Sequence, residues 1–261
     1  KIIDTIQNKK VLVSGSWSLQ RQQYGEQPHW MIVVLAAMIG QIGQPGGGFG
    51  LGYSAENGIG NPVKYFKWPA LNQFKNLITD FIPVARYSDM LLNPGKNFTF
   101  NGQTYQYPNI KLVYWAGGNP FHHQMNLSKL RKATFKPDTI ITNEIWWNSL
   151  ARHADIVLPT TTTLERNDIG FRHWEQTVSP MHKAIDPIGN SRNDFDIFSL
   201  ISEKLGIKEQ FTENKNEEEW LKTLWDEAKE SARENNFYLP DFDQFWNGGF
   251  FEVLKPTHEQ I

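Results

Sequence analysis

The chain has 261 residues, 39% of them hydrophobic and 21% charged, which is usual for a globular protein able to bury one or two cores. Its formal net charge of −2 draws the chain as a whole neither to nucleic acid nor to an anionic membrane. The absence of cysteine excludes disulfides, zinc–thiolate sites and iron–sulfur clusters from this chain. The longest apolar run, Trp30 to Ile39, is about half of what a bilayer requires, so we expect no membrane insertion.

The first part of the chain predicts the end of an α/β lobe. Residues 10–15 are valine-rich and lead into a turn, which indicates a buried strand. Glu26 to Ile42 predicts a helix that is apolar on most faces, so we expect it to be deeply packed. The segment from Gln44 to Gly52 should end this helix, because proline and clustered glycine cannot continue it, and such a loop lets the backbone approach another group closely.

Weak periodicity from Tyr53 to Gln106 indicates loops, apart from a short helix near 70–79 and a hairpin at Asn101-Gly102. A strand–helix rhythm follows. Its expected elements are strands at 110–115, 139–142 and 155–158 and helices at 126–133, 147–153 and 193–205. Beyond these, 217–234 predicts a charged helix with one apolar stripe, formed by Trp220, Leu221, Leu224 and Trp225. The tail from 236 to 261 has no closing element.

Strands that alternate with helices imply a mostly parallel sheet covered by helices on both faces. We therefore predict an α/β fold with two lobes, Rossmann-like and doubly wound. The expected domains are 1–80, the end of one lobe, 81–210, a second lobe, and 211–261, a helical and irregular extension. Ligands of such sheets gather at the carboxyl ends of the strands, so the turns there are the first candidates for a site.

Gly117-Gly118-Asn119 follows the predicted strand 110–115 and is the sharpest of these turns. Two glycines expose backbone N–H groups, and the start of the next helix adds a positive dipole end, which together favour phosphate. A tight turn that merely needs positive φ explains the glycines equally well. His122 and His123 are placed to donate to a phosphate or a carbonyl, although a histidine is more often only packed or exposed.

Two further strand ends carry polar groups. Glu144, after the strand at 139–142, is suited to accept from ribose hydroxyls or a guanine edge; its alternative is a charge that favours the next helix. Thr160 to Thr163 present four hydroxyls, of which alternate ones would line one pocket; an ordinary Thr-rich strand edge is the alternative. Glu165 to Asp168 offer carboxylate, guanidinium and amide groups that are equally able to pair with each other.

Trp17 and Arg21 place an indole and a guanidinium on one loop, which suits a flat heterocycle or a pyrophosphate. The alternative is an aromatic core residue beside a solvated arginine. The glycine run Gly46 to Gly52 is not a dinucleotide fingerprint, because it lacks the G-x-G-x-x-G spacing and follows a helix. Walker, G-x-S-x-G and H-E-x-x-H motifs are absent. We therefore expect no self-sufficient catalytic centre in this chain.

Four segments, in this order, resemble the central region of the dimethyl sulfoxide reductase family of molybdopterin oxidoreductases, in particular its trimethylamine N-oxide and biotin sulfoxide reductase branch. They are Gly15–Gln27, Leu35–Gly50, Lys111–His123, and Ala151–Pro159 with Leu164–Gly170. The likeness covers about Val11 to Leu205, and four ordered motifs of this length make it specific. It implies that the chain is an internal piece of a longer enzyme.

The resemblance also implies a cofactor and a reaction. Enzymes of this family hold one molybdenum between two molybdopterin guanine dinucleotides and move an oxygen atom from an N-oxide or S-oxide to the metal. In the oxide-reducing branch a serine ligates the metal, and it would lie before Lys1. No catalytic residue or metal ligand is therefore assigned here, and the isolated chain is expected to be inactive, with or without the cofactor. A c-type cytochrome as electron donor and a periplasmic location, with the cytoplasm as alternative, are further implications.

Carried over to the matching positions, the resemblance gives a set of cofactor-binding residues. Trp17, Ser18 and Arg21 resemble the loop beside the pterin and pyrophosphate, and Gly117, Gly118, Asn119 and His123 a dinucleotide-binding turn. Glu144 resembles the acidic residue that meets ribose or guanine, and Thr160, Thr162 and Asp168 a further wall of the pocket. The run from Arg192 resembles a segment whose carboxylate, Asp194 or Asp196, recognises guanine; the choice between them stays open.

Two other functions are considered. A formate dehydrogenase or nitrate reductase relative would share the superfamily, but the Trp17 loop and the Leu164–Asp168 stretch favour the oxide reductases. A non-enzymatic nucleotide-binding module on a doubly wound sheet would need a complete phosphate motif, which the sequence lacks.

Overall fold

The computed structural model describes residues 6, 8–51, 67–78, 80–171 and 177–253. The described residues fall in two compact units, one up to residue 51 and one from residue 67 onward. Within the described part of the chain, no helix is both long and apolar enough to cross a membrane. The predicted boundaries at 80/81 and 210/211 stay predictions.

The first unit is a helix packed on a two-stranded parallel sheet. Its elements are β1 (Leu12–Gly15), α1 (Glu26–Met38) and β2 (Gly48–Leu51). The predicted strand at 10–15 is confirmed as β1, but the expected burial is wrong, since Leu12 is 43% exposed. A 3-10 helix, Trp17–Gln20, follows it directly. The segment that carries Trp17 therefore lies at the carboxyl end of a parallel strand.

Helix α1 differs from its prediction in length and in burial. It ends at Met38 rather than Ile42, and Gly40 adopts the left-handed conformation at φ 68°. It is also not deeply packed within the described part of this unit, since Trp30 is 65% and Met38 79% exposed. Apolar composition indicates burial but not the partner, and a two-stranded sheet covers only a narrow side of a helix.

The second unit combines parallel and antiparallel sheets with short helices. Its strands are β3 (Asn97–Phe100), β4 (Gln103–Gln106), β5 (Leu112–Ala116), β6 (Thr139–Glu144), β7 (Ile156–Pro159), β8 (Asp168–Gly170), β9 (Thr177–Met181) and β10 (Phe251–Glu252). Its α-helices are α2 (Tyr87–Leu92), α3 (Pro120–His123), α4 (Leu127–Thr134), α5 (Asp194–Lys204), α6 (Lys208–Thr212), α7 (Glu217–Glu234) and α8 (Phe242–Gly248). The predicted α/β class, with parallel sheets and flanking helices, is confirmed.

The three strands of the predicted βα region form one parallel sheet in the order β5-β6-β7. Ala116 lies opposite Asn143, and Glu144 lies opposite Pro159. The hairpin is also confirmed: β3 and β4 are antiparallel, and Asn101 and Gly102 both have positive φ, at 48° and 76°. An Asn-Gly pair favours this turn because both residues tolerate the left-handed region.

Two predicted helices are wrong. Residues 67–78 contain no helix, because the side chains of Asn72 and Asn76 accept from the backbone N–H two residues later. Asparagine side chains compete in this way with the helical hydrogen bonds of the backbone. At 147–153 only a 3-10 turn forms, Ala151–His153, and the Asn148 side chain accepts from the N–H of Ala151 as an N-cap does.

The C-terminal part forms its own core, around α7. Trp225 is fully buried, stacks on Phe245 with 3.7 Å between ring centroids, and donates from Nε1 to the carbonyl of Pro240 at 2.9 Å. The predicted stripe on this helix is confirmed, whereas the tail is more regular than predicted. It contains α8 and β10, and β10 closes an antiparallel sheet in the order β10-β9-β8.

Candidate functional site

The candidate site is the edge of the second unit where β5, β6 and β7 end. The strands are parallel, so their carboxyl ends lie on the same side of the sheet. Gly117 follows β5, Glu144 is the last residue of β6, and Thr160 follows β7. Three of the predicted polar segments therefore share one edge.

The turn after β5 has free space and one unpaired donor. Gly117 and Gly118 have φ of 87° and 77°, and a Cβ added to either would meet nothing within 4 Å. Asn119 is only 9% exposed; its Oδ1 accepts from the N–H of Phe121 at 3.0 Å, while Nδ2 has no partner among the described residues. A buried donor without a partner costs about 1–3 kcal/mol, and a ligand would recover this cost.

The helix that directly follows this turn, α3, was not predicted, whereas the helix predicted at 126–133 is confirmed as α4. Helix α3 has four residues, so the helix dipole expected to favour phosphate contributes little. His123 is the last residue of α3 and is exposed. The chemistry of the turn therefore rests on the glycine backbone and on Asn119.

A chain of side-chain hydrogen bonds runs from β5 through β6 to α5. The Tyr114 hydroxyl donates to Oδ1 of Asn143 at 2.8 Å, and Nδ2 of Asn143 donates to Oδ1 of Asp194 at 2.7 Å. Asn143 is only 3% exposed. Burial, and secondarily the negative charge of Asp194, raise the pKa of Tyr114 above its usual value, so the phenol stays a donor. This network fixes one oxygen of the Asp194 carboxylate.

The two predicted guanine-recognising carboxylates line different cavities. Asp194 lines a cavity of about 240 Å³ together with Asp168 and Arg166, and α7 provides apolar wall residues including Trp220 and Leu221. Asp196 lines a neighbouring cavity of about 850 Å³. Asp168 and Asp194, which lie far apart in the sequence, are thus brought together.

A second network connects the end of β7 to α7. The hydroxyl of Thr161 donates to Oδ1 of Asn193 at 2.6 Å, and Nδ2 of Asn193 donates to the carboxylate of Glu217. Asn193 occupies the N-cap position of α5, yet its side chain makes no capping hydrogen bond, because both of its polar atoms are engaged elsewhere. Burial raises the pKa of Glu217, and the hydrogen bond from Asn193 partly opposes this shift.

The Glu144 carboxylate is largely engaged by its own loop. Oε1 accepts from the N–H groups of Ile145 at 3.0 Å and Trp146 at 3.4 Å, and Oε2 accepts from Nδ2 of Asn148 at 2.6 Å. This geometry matches the alternative in which the carboxylate stabilises the turn that follows the strand. About four lone pairs are available on a carboxylate, so Glu144 keeps limited capacity for a ligand.

The threonine segment after β7 is held by a buried glutamate. Glu165, 5% exposed, accepts from the N–H and hydroxyl of Thr162 and from the N–H of Ile188, at 2.7 to 2.8 Å. These hydrogen bonds, first among them the one from the Thr162 backbone, hold the pKa of Glu165 below its usual value. Thr160 is buried, and its backbone pairs with Arg192.

Arg166 and Asp168 pair with each other, as one of the two interpretations of this stretch proposed. Nη2 of Arg166 lies 3.1 Å from Oδ2 of Asp168, and Nη1 donates to the carbonyl of Thr161 at 3.4 Å. The other carboxylate oxygen of Asp168, Oδ1, accepts from the N–H of Ile169. The pair is partly exposed and belongs to the lining of the 240 Å³ cavity.

The first unit holds the remaining predicted residues. Trp17 is 39% exposed, and the hydroxyls of Ser16 and Ser18 are 2.8 Å apart. The N–H of Arg21 donates to the carbonyl of Ser18, which ends the 3-10 helix. The loop closes at Gly25, where a Cβ would lie 2.3 Å from the carbonyl oxygen of Gln20. Trp17, Ser18 and Arg21 are thus held on one compact loop.

Sequence reasoning assigned no role to Asn143, Asn193 or Glu217. Asn143 immediately precedes the predicted Glu144, and Asn193 immediately precedes Asp194, so both follow a motif without any signal of their own. Among the described residues, no group of three or more histidine or acidic side chains has the arrangement of a metal site.

Comparison with known proteins identifies the family. The model of the family described as molybdopterin oxidoreductase matches residues 2–204. This chain belongs to the molybdopterin oxidoreductase family. The match includes the described part of the first unit and the second unit as far as the last residue of α5.

The names of curated relatives are more specific than the description of the family. The chain is 47% identical over 239 residues to a biotin sulfoxide reductase of Cereibacter sphaeroides, which covers 91% of this chain and 32% of that protein. It is 44% identical over 252 residues to a trimethylamine-N-oxide reductase of Haemophilus influenzae, with 92% and 30% covered. A dimethyl sulfoxide/trimethylamine N-oxide reductase of Cereibacter sphaeroides is 43% identical, with 93% and 31% covered. The chain thus spans about a third of the length of these molybdopterin oxidoreductases.

Proposed function

We propose that this chain is the cofactor-binding central part of a molybdenum enzyme that reduces an N-oxide or S-oxide. The observation that carries the proposal is the edge of the β5-β6-β7 sheet. The turn after β5 has an unpaired buried donor and two open glycines, and Asn143 of β6 anchors the carboxylate of Asp194. The three curated relatives named above are oxide reductases, and their names support the reaction class.

The donor and acceptor groups at this edge fit a molybdopterin guanine dinucleotide. Nδ2 of Asn119 and the backbone at Gly117 and Gly118 are suited to its pyrophosphate, because they offer N–H donors beside open space. His123, Glu144 and the threonines Thr160 and Thr162 would provide further walls. In the other unit, Trp17, Ser18 and Arg21 would meet pterin and pyrophosphate. We propose the form with two such dinucleotides on one molybdenum.

Asp194 is the better candidate than Asp196 for guanine. The N1–H and N2–H₂ groups of guanine form a donor pair that suits a carboxylate held in one orientation. Asp194 is anchored by Asn143 and lines a 240 Å³ cavity with Asp168 and Arg166. Asp196 lines the more voluminous cavity and has no side-chain partner among the described hydrogen bonds.

When bound, the molybdenum centre supplies the oxygen-atom transfer, while the protein supplies binding, orientation and electrostatics. The side chains described above would bind and orient the dinucleotide arms. Trimethylamine N-oxide, biotin sulfoxide and dimethyl sulfoxide are the candidate substrates. We further propose a c-type cytochrome as electron donor, a role in anaerobic respiration and a periplasmic location, with the cytoplasm as the alternative.

The formate dehydrogenase or nitrate reductase alternative is disfavoured, because the curated relatives at 38–47% identity carry oxide reductase names. A non-enzymatic nucleotide-binding module is disfavoured by membership of an oxidoreductase family.

The proposal is tested on a longer gene product that includes this chain. Molybdenum and the GMP released by acid hydrolysis are measured per mole of protein, together with turnover of the three oxides with a reduced dye. We expect about two moles of GMP per molybdenum and turnover of at least one oxide. Asp194→Asn should lower the GMP content more than Asp196→Asn does. A protein without molybdenum and GMP would refute the proposal.

A further inference from the structure

We infer that Asn143 is a positioning residue that sets the guanine specificity of the pocket by orienting the carboxylate of Asp194. This inference rests on the proposed function. It assigns to Asn143 and Tyr114 roles that neither the family match nor the names of the relatives supply.

The orientation of the Asn143 amide follows from the chemistry of its partners. An ionised carboxylate only accepts hydrogen bonds, so the atom of Asn143 that lies 2.7 Å from Asp194 Oδ1 must be the amide nitrogen. The amide oxygen then faces Tyr114, whose hydroxyl must donate across 2.8 Å. The ionised Asp194 thus fixes the orientation of the Asn143 amide, and this amide fixes the direction of the Tyr114 hydroxyl hydrogen.

The position of Asn143 makes this arrangement rigid. It lies on β6, the central strand of the parallel sheet, with Ala116 opposite it on one side and Leu158 on the other. Its side chain is buried, and the ring of Tyr114 packs against Phe198 of α5 at 5.4 Å between centroids. Helix α5 begins at Asp194, so the same helix is fixed at its first turn and along its side.

One oxygen of Asp194 is held in this way, and the other has no partner among the hydrogen bonds of the described residues. A carboxylate with a fixed plane presents the second oxygen, and the remaining lone pair of the first, in a constant direction. Guanine has two adjacent donors that can use both oxygens, whereas hypoxanthine lacks the 2-amino group. A fixed carboxylate therefore favours guanine over hypoxanthine, and a rotating one loses this preference.

The test is titration calorimetry of GDP and IDP into the cofactor-free form of the longer gene product that includes this chain, and into three variants of it. Asn143→Leu removes the anchor, and Tyr114→Phe removes only the hydroxyl that orients Asn143. Thr142→Val is the matched control: Thr142 is fully buried on the same strand, and its hydroxyl reaches only the carbonyl of Asn143, at 3.4 Å.

We expect the wild type to prefer GDP over IDP by about tenfold, since the lost hydrogen bond involves a charged group. Asn143→Leu should reduce this ratio to below about threefold, Tyr114→Phe should give an intermediate ratio, and Thr142→Val should leave it unchanged. A merely structural role would weaken both nucleotides equally and leave the ratio as it is, and this result in the Tyr114→Phe variant would overturn the inference even if Asn143→Leu fails to fold.

Two other outcomes separate the inference from the proposed function. If the wild type prefers GDP and neither Asn143→Leu nor Tyr114→Phe changes the ratio, Asn143 does not position Asp194, while the guanine pocket stands. If the wild type shows no preference, the guanine pocket at Asp194 and the inference fail together. Molybdenum content and oxide turnover test the proposed function separately.

Discussion

Substitution of Asn119 separates a ligand-binding role of this residue from a structural one. Its Oδ1 caps the N–H of Phe121, whereas its Nδ2 is buried without a partner among the described residues. Serine caps a helix about as well as asparagine but lacks the amide donor. Asn119→Ser therefore keeps the structural contact and removes only the group that we propose to meet a phosphate oxygen.

The expected change in stability is small because two effects oppose each other. Removing an unpaired buried N–H gains about 1–3 kcal/mol. The void left by two missing side-chain atoms costs about 1 kcal/mol. We therefore expect the urea-derived free energy of unfolding of Asn119→Ser to stay within about 1 kcal/mol of wild type or to rise slightly, while Asn119→Ala, which also loses the cap, is about 1 kcal/mol less stable than Asn119→Ser.

Binding should change much more than stability. A hydrogen bond to a charged oxygen contributes about 1.5–3 kcal/mol, so Asn119→Ser should weaken GDP binding by about ten- to a hundredfold in calorimetry. Guanosine, which lacks the phosphates, should bind the variant as it binds wild type. Unchanged GDP affinity, or an equal loss for GDP and guanosine, would refute the phosphate role of Asn119.

Three further predictions concern stability. Gly25→Ala should lower the free energy of unfolding by about 1–3 kcal/mol, because the new Cβ would lie 2.3 Å from a backbone oxygen. Gly40→Ala should lower it by only about 1 kcal/mol, because no atom lies near its Cβ and only the left-handed φ is unfavourable. Urea denaturation compares the two variants. Trp225→Phe should lower the free energy of unfolding by about 2–4 kcal/mol in the same assay, because it leaves the Pro240 carbonyl unpaired and opens a void. Trp146 is 70% exposed, so Trp146→Phe should change the free energy of unfolding by no more than about 0.5 kcal/mol. Burial raises the pKa of Glu217, so the folded state binds more protons than the unfolded state. The free energy of unfolding of the wild type therefore falls as the pH rises from the ordinary glutamate pKa through the raised one. Glu217→Gln should lack this fall, and equal pH profiles of the two proteins would contradict the prediction.

Local chemistry explains which parts of the fold were predictable. Asn101-Gly102 determines its hairpin through the conformations that these two residues tolerate, and α7 begins where Asn216 and Glu219 form a capping box. These signals act within a few residues of each other. The helix expected near 70–79 failed because Asn72 and Asn76 use their side chains on neighbouring N–H groups, an effect that composition does not reveal.

The candidate site was only partly predictable, for a different reason. The glycine turn at Gly117 is visible because glycine is needed for positive φ, and Asp194 stands at a helix start. The connection between Asn143 and Asp194 spans 51 residues and depends on how β6 and α5 pack. Spacing along the chain contains no information about such a contact, and the same holds for the bond between Asn193 and Glu217.

Hydrogen–deuterium exchange of the cofactor-free longer gene product, with and without GDP, tests the central claim most directly, since it locates the ligand without assuming any residue role. We expect GDP to slow exchange in the peptides that contain residues 117–121 and 193–197, at the strand ends, and to leave the hairpin at 97–106 unchanged. Protection confined to other segments, or no protection under saturating GDP, would contradict the assignment of this edge as the nucleotide-binding site.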